Sequence, residues 1–296
     1  MTDPKIIDGK ALSSQLMGEI ASEVASLLDQ GLPAPHLAAV LVGDDPASQS
    51  YVASKEKACK QAGLISSLYK LPGDISMTKL FEVIDFLNTD PEIDGFIVQM
   101  PLPPQLDPGK VIERINPSRD VDGFHPVNAG RMMQGIPGFV PATPLGIMTM
   151  LERYRIPTEG KHCVVLGRSN IVGTPVSLLM SRKATPGNAT VTLCHSKTPD
   201  ISDLSLRADI LIAAIGQPGF VKAKMVKEGA VVIDVGIHRI TDSAREKGYY
   251  ITGDVDFGEV YPKCGMITPV PGGVGLMTIV SLLQNTLKAA QKTYQY

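Results

Sequence analysis

Helical and strand-like spacings of apolar residues take turns along the chain. Leu12, Leu16, Ile20, Val24, Leu27 and Leu28 share one helical face and predict an amphipathic helix over 10–30, after a short strand at 5–8. HLAAVLVG at 36–43 is an apolar run of strand length. The next stretch, DPASQSYVASKEKACKQAG at 45–63, is punctuated as a helix at both ends. Asp45 suits the cap, Pro46 the first helical position and Gly63 the stop. A strand follows at 65–71, then a helix at 76–88 with Leu80, Val83, Ile84 and Leu87 inward. A buried strand at 96–100 is ended by Pro101, Pro103 and Pro104, and a helix is expected at 106–115. No regular period is visible over 116–139.

A helix at 141–154, capped by Thr143 with Pro144 as its first residue, bridges into a second half. There a strand beginning at 162 runs into a Gly turn and a helix from near Val172. Further strands are expected at 189–196, 208–216 and 230–236. A last helix, from about 275 to 291, carries Leu276, Ile279, Val280, Leu283 and Leu287. The alternation predicts an α/β chain of two domains with mainly parallel sheets, 1–145 and 146–275. The last helix, taken as 276–296, is expected to pack back on the first domain; the other reading is that it only caps the second.

Composition narrows the class. With 44% hydrophobic and 20% charged residues, the chain reads as an ordinary soluble protein. A formal net charge of −2 gives no basic footprint for nucleic acid. No apolar run is long enough to span a bilayer, and the first residues lack a secretory pattern. Cys59, Cys163, Cys194 and Cys264 are too widely spaced for a zinc or redox pair, which points to the cytoplasm.

Four places carry candidate chemistry. Tyr51 and Lys55 lie four residues apart, so one helical face presents a phenol beside an amine near a strand end. That face is either a proton-handling surface or a solvated one. Gln99 breaks an otherwise apolar strand, and its amide either bonds loop backbone or faces the same cleft. The segment 116–139 holds Asp120, Asp122 and His125; a metal is disfavoured because no third or fourth ligand stands at a usual spacing. Finally, HCVVLGRSNIVGTPV has the strand–turn–helix layout of a dinucleotide site, with backbone approach at Gly167 and helix amides beyond it. Ser169 replaces the usual second Gly. The strand that follows ends in Cys194, His195, Ser196 and Lys197 where NAD sites carry a carboxylate. With Arg168 nearby, that end favours the 2′-phosphate of NADP.

These motifs carry a resemblance. In order along nearly the whole chain, YVASKEKACKQAG, DGFIVQMPLPP, RDVDGFHPVNAGRM, GRSNIVGTPV, ATVTLCHSKT, GDVDF and ITPVPGGVG resemble the bifunctional methylenetetrahydrofolate dehydrogenase/methenyltetrahydrofolate cyclohydrolase enzymes. The resemblance implies a homodimer with a folate-binding first domain, a Rossmann-type NADP domain and two reactions in the cleft between them. Methylenetetrahydrofolate is oxidised with NADP to the methenyl cation, which is then hydrolysed to 10-formyltetrahydrofolate. It implies that Lys55 is the central catalytic group, Tyr51 the aromatic residue beside the folate, Gln99 the amide that bonds the lysine and Asp122 the carboxylate that holds the pterin. Val98, Gln99 and Met100, and Pro271, Gly272, Gly273, Val274 and Gly275, match folate-contacting positions. Gly167, Arg168, Ser169, Ser196 and Ile237 match cofactor contacts. Arg119, Ala142 and Leu276 depart from residues common in the family, where Lys, Cys and Pro stand. Lys55 and Gln99 together argue against a dehydrogenase without cyclohydrolase activity, and the set of Tyr51, Lys55, Gln99 and Asp122 argues against a cofactor-sensing module without turnover.

Overall fold

The computed structural model describes residues 3–245 and 248–296. Its contacts divide the chain into two compact units. One comprises Ser14–Ala142 with Ile279–Tyr296; the other comprises the N-terminal segment through Ser13 and Thr143–Thr278.

The first unit takes most of α1 (Gly9–Asp29) and a three-stranded parallel sheet of β1 (His36–Val42), β2 (Ile65–Leu71) and β3 (Gly95–Val98), in the order β2-β1-β3. β1 and β3 are buried almost throughout, as continuous apolar strands covered on both faces must be. α2 (Pro46–Ala62) connects β1 to β2, and its ends follow the local signals. The Asp45 carboxylate accepts from the Ser48 amide at 2.8 Å, and Gly63 closes the helix at φ 78°. α3 (Met77–Thr89) and α4 (Pro108–Arg114) cover one sheet face, with Leu80, Ile84, Leu87 and Val111 packed against Val40, Phe96 and Val98. α4 starts at the Asp107–Pro108 cap, two residues later than expected. The expected irregular stretch contains a helix, α5 (Pro126–Gln134). It has local caps but little apolar stripe: Met133 is 73% exposed and Val127 44%, so periodicity could not reveal it.

The second unit opens with a correction. Residues 5–8 form no strand; Asp3 turns the chain back on Lys5 and Ile6, leaving one bridge from Ile6 to Ile267. α6 (Ala142–Arg153) begins before Thr143, so that hydroxyl is no cap; its Oγ1 meets Thr278 Oγ1 at 2.9 Å. A five-stranded parallel sheet follows, built from β4 (His162–Leu166), β5 (Thr190–Cys194), β6 (Ile210–Ala213), β7 (Val231–Asp234) and a strand at Met266–Ile267. The order runs from that last strand through β7, β6 and β4 to β5, with α7 (Gly173–Ser181) after β4 and the short α8 (Ile201–Ser205) after β5. An antiparallel hairpin, β8 (His238–Thr241) and β9 (Tyr249–Thr252), stands apart from the sheet pairing. A short α9 (Phe257–Val260) precedes the Met266–Ile267 strand, β10. The last helix, α10 (Val274–Ala290), contributes its residues from Ile279 onward to the first unit. There the buried Asn285 amide donates to the Val121 and Val140 carbonyls at 2.9 and 3.0 Å.

Candidate active site

α2 and the end of β3 bring Lys55 and Gln99 together. The Gln99 backbone amide continues the sheet ladder to Val40 at 2.9 Å, which fixes where its side chain leaves the strand. Its amide nitrogen donates to the Met100 carbonyl at 2.6 Å, and its oxygen accepts from Lys55 Nζ at 3.0 Å. Both readings of Gln99 therefore hold at once: one half of the amide satisfies loop backbone, the other holds the amine. Tyr51 lies one turn before Lys55 and is 45% exposed, open to a ligand. Val98 is buried at the strand end and supplies shape rather than exposed surface.

Burial pulls the Lys55 amine below the ordinary lysine value, against the nearby Asp122 carboxylate and Cys59, which push it up. Asp122 is displaced the other way, to about 6, because burial outweighs the attraction of Lys55 and Asp120 adds repulsion. Each group is thus moved toward its neutral form, the arrangement expected where protons are exchanged. Cys59, one turn beyond Lys55, has its thiol pushed up to about 12 by burial and is no nucleophile at neutral pH.

Asp120 and His125 do different work from a metal site. Asp120 accepts from the Gly123 and His125 amides and from Asn128 Nδ2, while His125 Nδ1 accepts from the Val127 amide and caps α5. Both side chains hold the loop that presents Asp122. Among the described residues no group of three or more His, Cys, Asp or Glu is placed to hold a metal ion.

In the second unit the turn after β4 is built around backbone proximity. Gly167 has φ 108°, and a Cβ there would lie 2.0 Å from the Ala214 carbonyl oxygen. A Cβ on Gly173 would lie 1.9 Å from the Gly167 oxygen, so the turn folds directly against the start of α7. Ser169 Oγ accepts from the Val172 and Gly173 amides. Arg168, Ser169 and Ser196 are exposed, and the Gly167 amide bonds the Cys194 carbonyl, which joins the turn to the end of β5. A dinucleotide fits this donor set: bare backbone for a pyrophosphate, then a cation and hydroxyls with no carboxylate at the end of β5. Ile237 is 46% exposed, and its Cδ1 lies 2.6 Å from where a Cβ on Gly275 would stand. The loop after β7 and the start of α10 are therefore neighbours. Of the turn before α10, Gly273 and Val274 are buried while Pro271 is exposed. That turn groups with the second unit, whereas Lys55, Gln99 and Asp122 group with the first.

Residues 7–122 match the catalytic domain of tetrahydrofolate dehydrogenase/cyclohydrolase, and residues 141–294 match its NAD(P)-binding domain. The chain belongs to this family. The bifunctional protein FolD of Porphyromonas gingivalis is 56% identical over 294 residues, 99% of each chain. The crystal structure of the Campylobacter jejuni bifunctional FolD dehydrogenase/cyclohydrolase superposes with a TM-score of 0.91 at 45% identity, covering 98% of this chain and 99% of that one. The Trypanosoma brucei dehydrogenase-cyclohydrolase, solved with NADP and an inhibitor, gives 0.91 at 36% identity over 98% of each.

Within this tetrahydrofolate dehydrogenase/cyclohydrolase frame, one cluster escaped sequence reasoning. Asp234 ends β7 and accepts from the Gly236, Asp254 and Val255 amides; burial raises it to about 6. Asp254, fully buried beside it, accepts from three consecutive amides and from His238. The only signal was the GDVDF motif, which carries Asp254 but does not name its partners.

Proposed function

We propose that this chain oxidises 5,10-methylenetetrahydrofolate with NADP and then hydrolyses the 5,10-methenyl product to 10-formyltetrahydrofolate. The observation that carries the reading is the Lys55–Gln99 pair at 3.0 Å, with Asp122 beside it, in a chain that matches bifunctional relatives over nearly its full length. Bound NADP supplies the hydride acceptor for the first step. Gly167 would leave room for its pyrophosphate against the turn, Arg168 and Ser196 would hold the 2′-phosphate, and Ser169 and Ile237 would complete the cofactor contacts. The oxidation draws on electrons of the folate nitrogens, so this chain contributes orientation: Tyr51 lies along the folate, Asp122 accepts from pterin N–H groups, and Val98 and Met100 with the Pro271–Gly275 turn shape its surroundings.

Hydrolysis makes heavier demands on the protein. Water adds to the methenyl carbon and loses one proton; the remaining hydroxyl loses its own as it becomes the formyl carbonyl, while the C–N bond to the leaving ring nitrogen breaks and that nitrogen gains one. Across the whole step one proton is released. Lys55 takes the proton from the adding water and returns one to the nitrogen, a role suited to an amine held below its ordinary pKa. Gln99 fixes the amine through a neutral oxygen and so adds no charge that would raise it again.

Domain roles follow: residues 1–145 with the 276–296 helix bind and transform folate, and 146–275 bind NADP. We place the enzyme in the cytoplasm as a homodimer. All four cysteines are buried and unpaired, and among the described residues no helix is long and apolar enough to cross a membrane. The test supplies methylenetetrahydrofolate with NADP or NAD and follows reduced cofactor and methenyl product separately. NADP reduction with methenyl consumption is expected. Reduction with methenyl accumulating at the uncatalysed rate of its hydrolysis would overturn the bifunctional reading.

A further inference from the structure

The carboxyl ends of β6 and β7 meet around one side chain. Asp254 Oδ2 accepts from the Ile215 and Gly216 amides at 2.6 and 3.0 Å, and its Oδ1 accepts from the Gln217 amide at 2.9 Å. His238 Nε2 completes the set at 2.7 Å. Asp254 is itself anchored, because Asp234 accepts its backbone amide at 2.9 Å. The approach is close: a Cβ on Gly253 would stand 1.9 Å from Asp234 Oδ2, and one on Gly236 would stand 2.4 Å from the Asp254 amide nitrogen. Three stretches distant in sequence, 215–217, 234–238 and 253–255, are thus gathered on two carboxylates.

What this cluster holds is the surface that Gly167 closes against. Ala214, immediately before the three bonded amides, is the residue whose carbonyl bars any side chain at Gly167. On the other side, His238 follows Ile237, the exposed residue beside Gly275. Three amides aimed at one carboxylate hold their loop in a single conformation, since each buried N–H left unpaired costs stability. We propose that Asp254, steadied by His238, is a positioning residue for the dinucleotide: it sets the 214–217 loop and Ile237 at the height NADP requires. The inference rests on the NADP reading above and deepens it. Asp254 lies in the unit that carries Gly167, while Lys55, Gln99 and Asp122 lie in the other. Its direct partners, the 215–217 amides and His238, are not among the residues given to the folate, so its removal acts on cofactor binding more than on methenyl hydrolysis.

The full chain is compared with Asp254→Asn, His238→Ala and His238→Gln by NADP calorimetry, by dehydrogenase kinetics and by methenyltetrahydrofolate hydrolysis without NADP. Asn offers one accepting oxygen and turns an NH2 toward donors, so the NADP dissociation constant and KM should rise about tenfold or more, with kcat at saturation changing less. Hydrolysis should fall by a much smaller factor than NADP affinity, since the hydrogen bonds lost are not made to Lys55, Gln99, Asp122 or the Pro271–Gly275 turn. His238→Ala should weaken NADP binding by a smaller factor, and His238→Gln, which keeps an N–H donor, should restore it. An unchanged NADP constant in a folded Asp254→Asn protein would overturn the proposal. So would parallel loss of both activities, which marks a merely structural residue. Should Asp254→Asn not fold, equal NADP affinity in His238→Ala and wild type decides against it. Wild-type protein that binds no NADP would overturn the cofactor reading instead.

Discussion

Two polar centres in this molecule, one half-buried and one fully buried, are built in opposite ways. Among the described residues, Lys55 makes one side-chain hydrogen bond, to Gln99, while Asp254 accepts four. Around Lys55 the shortage of partners leaves burial as the dominant influence, and both the amine and Asp122 move toward neutrality. Around Asp254 every lone-pair direction is used, and the group fixes backbone in place. A buried charge short of partners is poised for proton exchange; one that is saturated serves as a clamp. An aspartate thus stands short of partners in one unit and saturated with them in the other.

The largest expected effect separates these roles. Lys55→Met should lower methenyl hydrolysis at least about 100-fold, the scale of general acid–base catalysis, while NADP binding changes little. Retention of hydrolysis would erase the distinction between the two centres. A smaller effect is in the pH profile. With Asp122 near 6, kcat/KM for hydrolysis should climb as pH rises through that value and its carboxylate forms. Asp122→Asn should show no such limb and a lower plateau. Stability runs the opposite way. The folded-state value is raised from 3.8, so this group's favourable contribution is complete below 3.8 and is lost as pH rises to about 6. Above that range Asp122→Asn should melt higher than wild type relative to their difference at pH 3.5. The smallest effect concerns the helix that carries Lys55. Asp45→Ala removes the cap on the Ser48 amide and should cost about 1 kcal/mol in urea unfolding of the first unit. NADP affinity should be unmoved.

What the sequence made legible follows from how local each signal was. Asp45, Pro46 and Gly63 act on the residues next to them, and α2 begins and ends where they indicate. The same Asp–Pro signal stands at Asp107–Pro108, and it, not Leu106, marks the start of α4. α5 hid because its caps, His125 and Gly135, enclose a helix that buries only Asn128 and Met132. His125 was accordingly weighed as a metal ligand when its ring in fact closes a helix end. Lys55 and Gln99 are 44 residues apart, yet an amide interrupting an apolar strand near a strand–helix junction was an anomaly that could be seen. Asp254 offered no such anomaly. Its amide partners lie 37 to 39 residues away in a loop of unremarkable sequence, and backbone donors leave no trace in residue type.

The measurement closest to the central claim is a nitrogen-15 titration of the Lys55 amine in the intact protein. Its midpoint should fall below that of the exposed lysines, and lower still in Asp122→Asn, because the carboxylate now holds it up. A midpoint at or above the ordinary lysine value would contradict a proton-handling Lys55, as would an upward shift on losing Asp122.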